Sequence, residues 1–184
     1  MSTFFTTDWR RVLIESYPSL FQAFADPPVA EGWPDVRDGW PDLVETAVAR
    51  IAAVVIDAPE GSLKVGQIKE QFGTLRLYLD RQDGFSASTQ AAINEAIYLA
   101  QARSACTCET CGEEGRLYDQ GGNLVTACGR HARGIAIQIR PDFENIHIVR
   151  SLKRGKLGLV SCRRYVRDTD SFVDMMPSDV GIKE

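Results

Sequence analysis

The sequence predicts an α+β protein in which helices and a β-hairpin precede an inserted cysteine-rich module and a β-rich C-terminal segment. Apolar residues recur at helical spacing in residues 41–56 and 88–103, and they alternate at strand spacing in residues 63–80. Four of the five cysteines fall within residues 106–128. Residues 135–167 are rich in β-branched side chains, which favour strands.

Three helices are predicted before the cysteines. Residues 8–17 form a short helix with Asp8 as its N-cap, and Pro18 interrupts it. Residues 41–56 form a core helix, because their apolar side chains recur every three or four positions. The third helix, residues 88–103, leads directly into the cysteines.

A loop rich in Pro, Gly and Asp, residues 25–42, contains Gly-Trp-Pro-Asp twice. A functional interpretation makes its two tryptophans, Trp33 and Trp40, an aromatic recognition pair. We favour a structural interpretation, in which one tryptophan packs under the loop. Pro41 then opens the next helix at its first position, where a missing N–H is tolerated.

Two β-hairpins are expected. In residues 63–80, leucines alternate with polar residues after Gly73, which suits a tight turn, and Gly66 shifts the alternation as a β-bulge does. The second hairpin pairs residues 146–152 with 157–166. The last ten residues, "MMPSDVGIKE", contain too little apolar surface for an ordered segment to be expected.

The stretch "CTCETCGEEGRLYDQGGNLVTACGRH" contains two pairs of metal-ligating residues. Cys108 and Cys111 are followed, after sixteen residues, by Cys128 and His131. Thiolates and imidazoles are the ligands that zinc prefers in four-coordinate sites. The intervening "GRLYDQGGNLVTA" has central glycines that suit a hairpin turn. We therefore expect a treble-clef or zinc-ribbon module, with the second pair at the start of a short helix.

The other two cysteines are expected to have structural roles. Cys106 forms a Cys-x-Cys pair with Cys108 and could compete as a ligand, but its position before the knuckle favours a structural or spare role. Cys162 stands alone and is most simply a small core residue.

The expected Zn²⁺ is structural rather than catalytic. Catalytic zinc keeps an open coordination position, whereas four protein ligands close it. The remaining histidine, His147, alternates with isoleucines on a predicted strand, which favours a surface or packed residue. The sequence contains no phosphate-binding Gly-rich loop, no Gly-x-Ser-x-Gly and no His-Glu-x-x-His. We predict that the protein is not an enzyme.

These observations divide the chain into three predicted parts. Residues 1–104 form an α+β core domain, residues 105–134 a zinc-binding module, and residues 135–184 a basic β-rich extension with an acidic tail. The apolar runs are too short to span a bilayer, and the N-terminus lacks the pattern of a secretory signal. We therefore expect a cytoplasmic protein, where thiols stay reduced.

A basic block follows the cysteines although the whole chain has a net charge of −4. Residues 129–167 contain ten Lys and Arg against two Asp and Glu, whereas residues 1–60 contain four against ten. Such a block either contacts nucleic acid, with Tyr165 as a stacking surface, or pairs internally with the acidic half. The candidate nucleic-acid-binding residues are Arg130, Arg133, Arg150, Lys153, Arg154, Lys156, Arg163 and Arg164.

The segment "QIKEQFGTLRLYLD", a helix and then "CETCGEEGRLYDQGGNLVTACGRHA" together resemble a group of phage and bacterial proteins. In that group a segment like "IKEKFGTLRFY" precedes a cysteine knuckle, a short hairpin and a Cys-x-x-His. The match covers residues 39–132, about half of the chain. The resemblance implies a small accessory protein, often phage-associated, with a zinc-ribbon element, and it carries over no catalytic residues.

Three functions are compatible with these observations. We favour a non-enzymatic, zinc-stabilised interaction module that modulates or inhibits a host system and whose partner is a host or phage protein. The alternative is a nucleic-acid-binding accessory or regulatory protein that uses residues 129–167. A metal-dependent nuclease is the second alternative. None of the three requires a membrane.

Overall fold

The computed structural model describes residues 8–21, 31–153 and 156–181 of the 184-residue chain. Within these ranges, three helices and nine strands form a mixed α+β fold with three small sheets. The predicted α+β class is therefore confirmed, whereas the treble-clef or zinc-ribbon form of the inserted module is not. No helix in these ranges is long and apolar enough to cross a membrane.

The N-terminal part contains the three helices and the first sheet. Its elements are α1 (Trp9–Ser16), β1 (Pro34–Asp35), α2 (Pro41–Ile56), β2 (Ser62–Gln71), β3 (Thr74–Asp83) and α3 (Ala87–Ser104). The sheet order is β1-β2-β3, with β1 parallel and β3 antiparallel to β2. Helix α3 packs against both α2 and β3.

The helix starts confirm two sequence predictions. The Asp8 side chain accepts a hydrogen bond from the backbone N–H of Arg10 at 3.0 Å and so caps α1. Pro41 lies in the first turn of α2, directly after the capping residue Trp40. Trp40 is fully buried, which confirms that one tryptophan packs beneath the loop.

The β2–β3 hairpin turns through Phe72 and Gly73, both with positive φ. Two residues in this conformation match the right-handed twist of the flanking strands. Phenylalanine seldom adopts it, and here Phe72 is 65% exposed. The register shifts between Val65 and Gln67, which confirms the bulge predicted at Gly66.

The main core lies between α2, α3 and the inner face of the first sheet. It consists of side chains buried from all three helices and from both long strands. Among the largest fully buried side chains are Phe21, Trp40, Leu43, Ile51, Ile68, Leu75 and Ile93. Burying each such side chain contributes about 1.5–3 kcal/mol to folding.

Two further antiparallel sheets follow α3. One has the order β5-β4-β6 and the other β7-β8-β9. Their strands are β4 (Arg116–Asp119), β5 (Leu124–Ala127), β6 (Ile135–Ala136), β7 (Ile146–Lys153), β8 (Lys156–Val166) and β9 (Ser171–Asp174). The hairpin predicted within the cysteine-rich module is confirmed as β4–β5, and the hairpin predicted for residues 146–166 is confirmed as β7–β8.

The C-terminal residues are more ordered than expected. A 3₁₀ turn, Pro177–Val180, follows β9, and Val180 is only 2% exposed. The expectation of a disordered tail is therefore wrong as far as residue 181. The sequence contains few apolar residues here, but one of them is enough to anchor the turn.

Candidate metal centre

Four side chains predicted as ligands converge on one point. The sulfurs of Cys108, Cys111 and Cys128 and a ring nitrogen of His131 all lie within 4.8 Å of one another. Cys128 Sγ is 3.4 Å from His131 Nδ1 and 3.7 Å from Cys111 Sγ. Cys108 Sγ is 3.6 Å from the same nitrogen. These residues are close enough to hold one metal ion.

The first ligand pair is positioned by a tight loop after α3. The Gly112 N–H donates to the Cys108 carbonyl at 2.9 Å, and the Cys108 N–H donates to the Glu113 carbonyl at 2.8 Å. Gly112 has a φ of +79°, which an L side chain rarely adopts. The loop closes on itself and leaves the thiols of Cys108 and Cys111 beside each other.

The second pair follows β5 and lies in a turn rather than at the start of a helix. The N–H groups of His131 and Ala132 donate to the Cys128 carbonyl at 3.0 and 2.8 Å. Gly134, with a φ of +74°, then directs the chain into β6, which pairs with β4. The predicted short helix is therefore wrong, because strand pairing takes up the backbone groups that a helix would use.

The electrostatics of the cluster favour a bound cation. Burial opposes ionisation of Cys128, but backbone N–H groups of His131 and Arg130 outweigh it and lower its pKa to about 6. At Cys111 an N–H of Glu113 favours the thiolate, yet burial and the neighbouring sulfurs raise the pKa overall. A cation among the sulfurs would relieve this mutual repulsion.

The two remaining cysteines lie outside the ligand group, as expected. Cys106 is 6% exposed and packs with Ala102 and Tyr165. Burial raises the pKa of its thiol, which keeps it protonated. Cys162 is 5% exposed. Both are buried side chains outside the group of candidate ligands.

The second Gly-Trp-Pro-Asp copy attaches the first ligand pair to the main core. Gly39 N–H donates to the Glu109 carbonyl at 2.8 Å, and Trp40 Nε1 donates to the Thr107 carbonyl at 2.9 Å. A Cβ atom at Gly39 would collide with the Cys108 carbonyl oxygen. The glycine is thus required by close backbone approach, which the repeat alone did not indicate.

The buried carboxylate of Glu109, next to Cys108 in the sequence, hydrogen-bonds to strand β5. Glu109 is 3% exposed and accepts a hydrogen bond from the Thr126 N–H at 3.0 Å. Burial raises the pKa of Glu109, and Arg37 lies 3.6 Å from the carboxylate. The Thr126 hydroxyl donates to the Gly73 carbonyl at 2.7 Å, so the module also touches the tip of the β2–β3 hairpin.

Arg167 joins the C-terminal segment to the metal-binding loop. Its Nη1 donates to the Cys106 carbonyl at 2.9 Å and to the Thr107 hydroxyl at 2.6 Å. Its Nη2 lies 3.3 Å from the Gly112 carbonyl oxygen. One guanidinium therefore contacts three residues around the first ligand pair.

The basic block divides into internally paired and exposed residues. Arg163 donates to both carboxylate oxygens of Glu95 on α3 at 2.8 Å. Arg164 donates to the Asp142 carbonyl at 3.0 Å. Among the members of the predicted set whose side chains are described, Arg130, Arg133 and Arg150 are exposed.

The tip of the β7–β8 hairpin is only partly described. Lys153 and Lys156 lie opposite each other in the strand register, and Arg154 lies outside the described residues. Tyr165 is 2% exposed, and its hydroxyl donates to Asp170 at 2.7 Å. The expectation that Tyr165 offers a stacking surface is therefore wrong.

His147 is a packed residue, as expected, and does not belong to the metal cluster. Its ring lies 5.0 Å from that of Tyr98 and 5.1 Å from that of Phe172. Burial lowers the pKa of His147, and the positive charge of Arg163 lowers it further. Its Nδ1 is buried, without a hydrogen-bond partner among the described residues.

Comparison with known proteins gives no match. No protein-family model, no curated protein and no solved structure matches this chain. The function must therefore be argued from the site itself.

Proposed function

We propose that the protein is a non-enzymatic interaction module whose ligand cluster holds one structural Zn²⁺. The observation that carries the proposal is the closed set of three thiols and one imidazole. Four protein ligands leave no position for water or substrate on a tetrahedral ion. The role of the metal would then be to hold the module in shape for contact with a partner.

The spacing of the ligand atoms supports zinc. Bond lengths of about 2.3 Å to sulfur and about 2.0 Å to nitrogen place tetrahedral ligands about 3.5–3.8 Å apart. Three separations in the cluster are 3.4 Å from Cys128 Sγ to His131 Nδ1, 3.6 Å from Cys108 Sγ to the same nitrogen, and 3.7 Å from Cys111 Sγ to Cys128 Sγ. The mixture of sulfur and nitrogen donors also favours zinc over magnesium or calcium, which prefer oxygen.

The expected partner is a protein of a phage or of its bacterial host. Two observations support a protein: several exposed apolar side chains lie around the module, and part of the basic block is paired internally. The phage association is supported by the resemblance of residues 39–132 alone. The free thiols and the absence of disulfides among the described cysteines fit a reducing compartment such as the cytoplasm.

A second candidate function is nucleic-acid binding. The observation that favours it is the exposure of Arg130 and Arg133 beside the cluster and of Arg150 on β7. Arg163 and Arg164 support it less, because they already contact Glu95 and Asp142. A metal-dependent nuclease is a weaker candidate, because the second histidine packs between aromatic rings rather than beside the ligands.

One experiment tests these candidates together. Zinc-loaded protein is titrated into labelled single-stranded DNA, double-stranded DNA and RNA over a salt series, and supercoiled plasmid is checked for cleavage. We expect no cleavage and no binding tighter than micromolar at physiological salt. Binding could instead be tight, weaken steeply with salt and be lost in the double variant Arg130→Glu/Arg133→Glu. This result would contradict the interaction module and favour nucleic-acid binding.

A positive test of the interaction function uses the same protein as bait. We expect a distinct protein to be retained from a bacterial lysate by the zinc-loaded chain and to be released by a chelator. A Cys128→Ser bait is the matched control. Equal retention by both baits would show that the interaction does not depend on the metal centre.

A further inference from the structure

We propose that the outer edge of the module's sheet, residues 135–139, binds an acidic, extended segment of a partner protein as an additional β-strand. We call these residues the isoleucine edge. The inference rests on the proposed interaction function and deepens it, because it names the surface and the chemistry of the partner.

Among the described residues, no strand pairs with the outer side of the isoleucine edge. Strand β6 is the last strand in the order β5-β4-β6, and Ala136 is opposite Tyr118. Strand β6 ends at Ala136, and the Ile137 N–H continues the pairing with β4 by donating to the Leu117 carbonyl at 3.0 Å; residues 138–139 follow beyond the strand. Because backbone groups alternate in direction along a strand, those of Ala136 and Gln138 face away from β4. The Ala136 carbonyl accepts a hydrogen bond from Gln138 Nε2 at 3.4 Å, and an added strand would replace this bond as it pairs with the outward groups.

The side chains of this segment form an apolar strip on one face of the sheet. Ile135, Ile137 and Ile139 are 76%, 37% and 46% exposed. Ala136, between the first two, instead packs against the cluster that contains the cysteine ligands. Isoleucines that alternate along a segment and stay exposed are typical of a strand whose apolar face is covered by another protein.

The strip borders a cleft that an added strand could enter. Ile137 and Ile139 line it together with Leu117, and its volume is about 350 Å³. Glu114, Glu144 and Arg116 also line the cleft. Because Leu117, Ile137 and Ile139 form an apolar part of its lining, the partner residues that face the isoleucines should be apolar.

The charges around the isoleucine edge select an acidic partner. Residues 129–140 contain three arginines and no acidic residue, and Arg130, Arg133 and Arg140 are all exposed. Arg130 is two residues after Cys128, and Cys128 belongs to the buried cluster against which Ala136 packs. Acidic side chains at alternate positions of an added strand would lie on the side where Ala136 packs, opposite the apolar ones.

The same charges argue against a second copy of this chain. If two isoleucine edges paired with each other, the three arginines of each copy would lie close to those of the other. Like charges placed across a strand pair are destabilising. A strand that alternates apolar and acidic residues removes this repulsion and covers the isoleucines.

The test uses two synthetic peptides and two variants of the full-length, zinc-loaded protein. The peptides are fluorescein-labelled ten-residue chains of alternating Val and Glu or of alternating Val and Lys. Gln138→Pro removes the outward N–H without removing a bond to β4, and Gln138→Ala is its matched control. Equal zinc content and equal urea midpoints of the two variants show that any difference in binding does not come from unfolding.

Fluorescence anisotropy should show binding of the Val-Glu peptide but not of the Val-Lys peptide. We expect Gln138→Ala to change the affinity by no more than about twofold and Gln138→Pro to weaken it about tenfold, because one strand-pairing hydrogen bond is lost. No binding of the Val-Glu peptide at 1 mM, or equal binding by both variants, would overturn the proposal.

Failure of this proposal can be distinguished from failure of the proposed interaction function. If a protein partner is retained equally by the Gln138→Pro and Gln138→Ala proteins, the interaction function stands and the isoleucine edge is not its site. If single-stranded nucleic acid binds instead, lost on reversal of Arg130 and Arg133, both proposals fail.

Discussion

The main core and the metal-binding module are stabilised in different ways. The core cluster contains nineteen buried residues among those described, whereas the module's cluster contains five, of which two are the ligands Cys108 and Cys128. A unit of about thirty residues buries too little apolar surface to fold unaided. The comparison shows that the first region is rich in buried apolar side chains, whereas the second has few of them beside its candidate ligands and its docking contacts.

Loss of a ligand should have the largest effect, and it should be confined to the module. In Cys128→Ser we expect loss of stoichiometric metal and unfolding of the module, because structural zinc sites supply about 10–16 kcal/mol of apparent binding free energy at neutral pH. Metal content by mass spectrometry and the β-strand signal in circular dichroism would measure both.

Cys106→Ala is the matched control for this prediction. Cys106 is buried like Cys108 and Cys128 but lies outside the group of candidate ligands, so the variant should keep one metal ion per chain. Metal loss in Cys106→Ala with retention in Cys128→Ser would assign the ligand set differently.

Truncation of a side chain in the main core should have the next largest effect. It should destabilise the core and leave the metal bound. Ile51 is fully buried on α2, and Ile51→Ala should lower the free energy of unfolding by about 2–5 kcal/mol. The folded variant should still bind one metal ion. Urea titration together with metal analysis checks this, and loss of metal from the folded variant would show that the two regions are not separable.

Removal of the guanidinium that joins the C-terminal segment to the module should have a smaller effect. Arg167→Lys cannot reach Cys106, Thr107 and Gly112 together, and we expect a loss of about 1.5–3 kcal/mol in urea unfolding. Arg133→Lys, at an exposed position, should change stability by less than about 0.5 kcal/mol. Equal effects of the two substitutions would contradict a specific joining role.

The smallest predicted effect is a pH dependence that comes from His147. Its pKa in the folded protein lies below the ordinary value of about 6.5, so the unfolded chain takes up this proton first as pH falls. Stability from His147 is therefore complete above pH 6.5 and declines below it until the folded pKa is passed. Urea titrations from pH 7.5 to 5.5 should show a shallower decline for His147→Gln, and parallel curves would refute the assignment.

Much of the fold could be predicted because its signals are local. The spacing of apolar residues indicated α2 and α3, and glycines at positive φ or at a bulge indicated the hairpins. The ligand set was also predictable, because both pairs are close in sequence and each is joined by a short loop.

Long-range contacts account for what the sequence did not reveal. Nothing near Gly39 in the sequence indicates that it meets the Cys108 carbonyl, and nothing near Arg163 indicates that Glu95 is its partner. The turn at His131 was mistaken for a helix start, because β6 pairs with β4 only once the module has folded.

Hydrogen–deuterium exchange of the zinc-loaded protein, with and without a chelator, tests the central claim most directly. Chelation should accelerate exchange in residues 105–136, while residues 41–104 remain protected. This result would show that the metal holds the module and that the main core is held independently. Unchanged exchange in the module, or equal acceleration in both regions, would contradict the account.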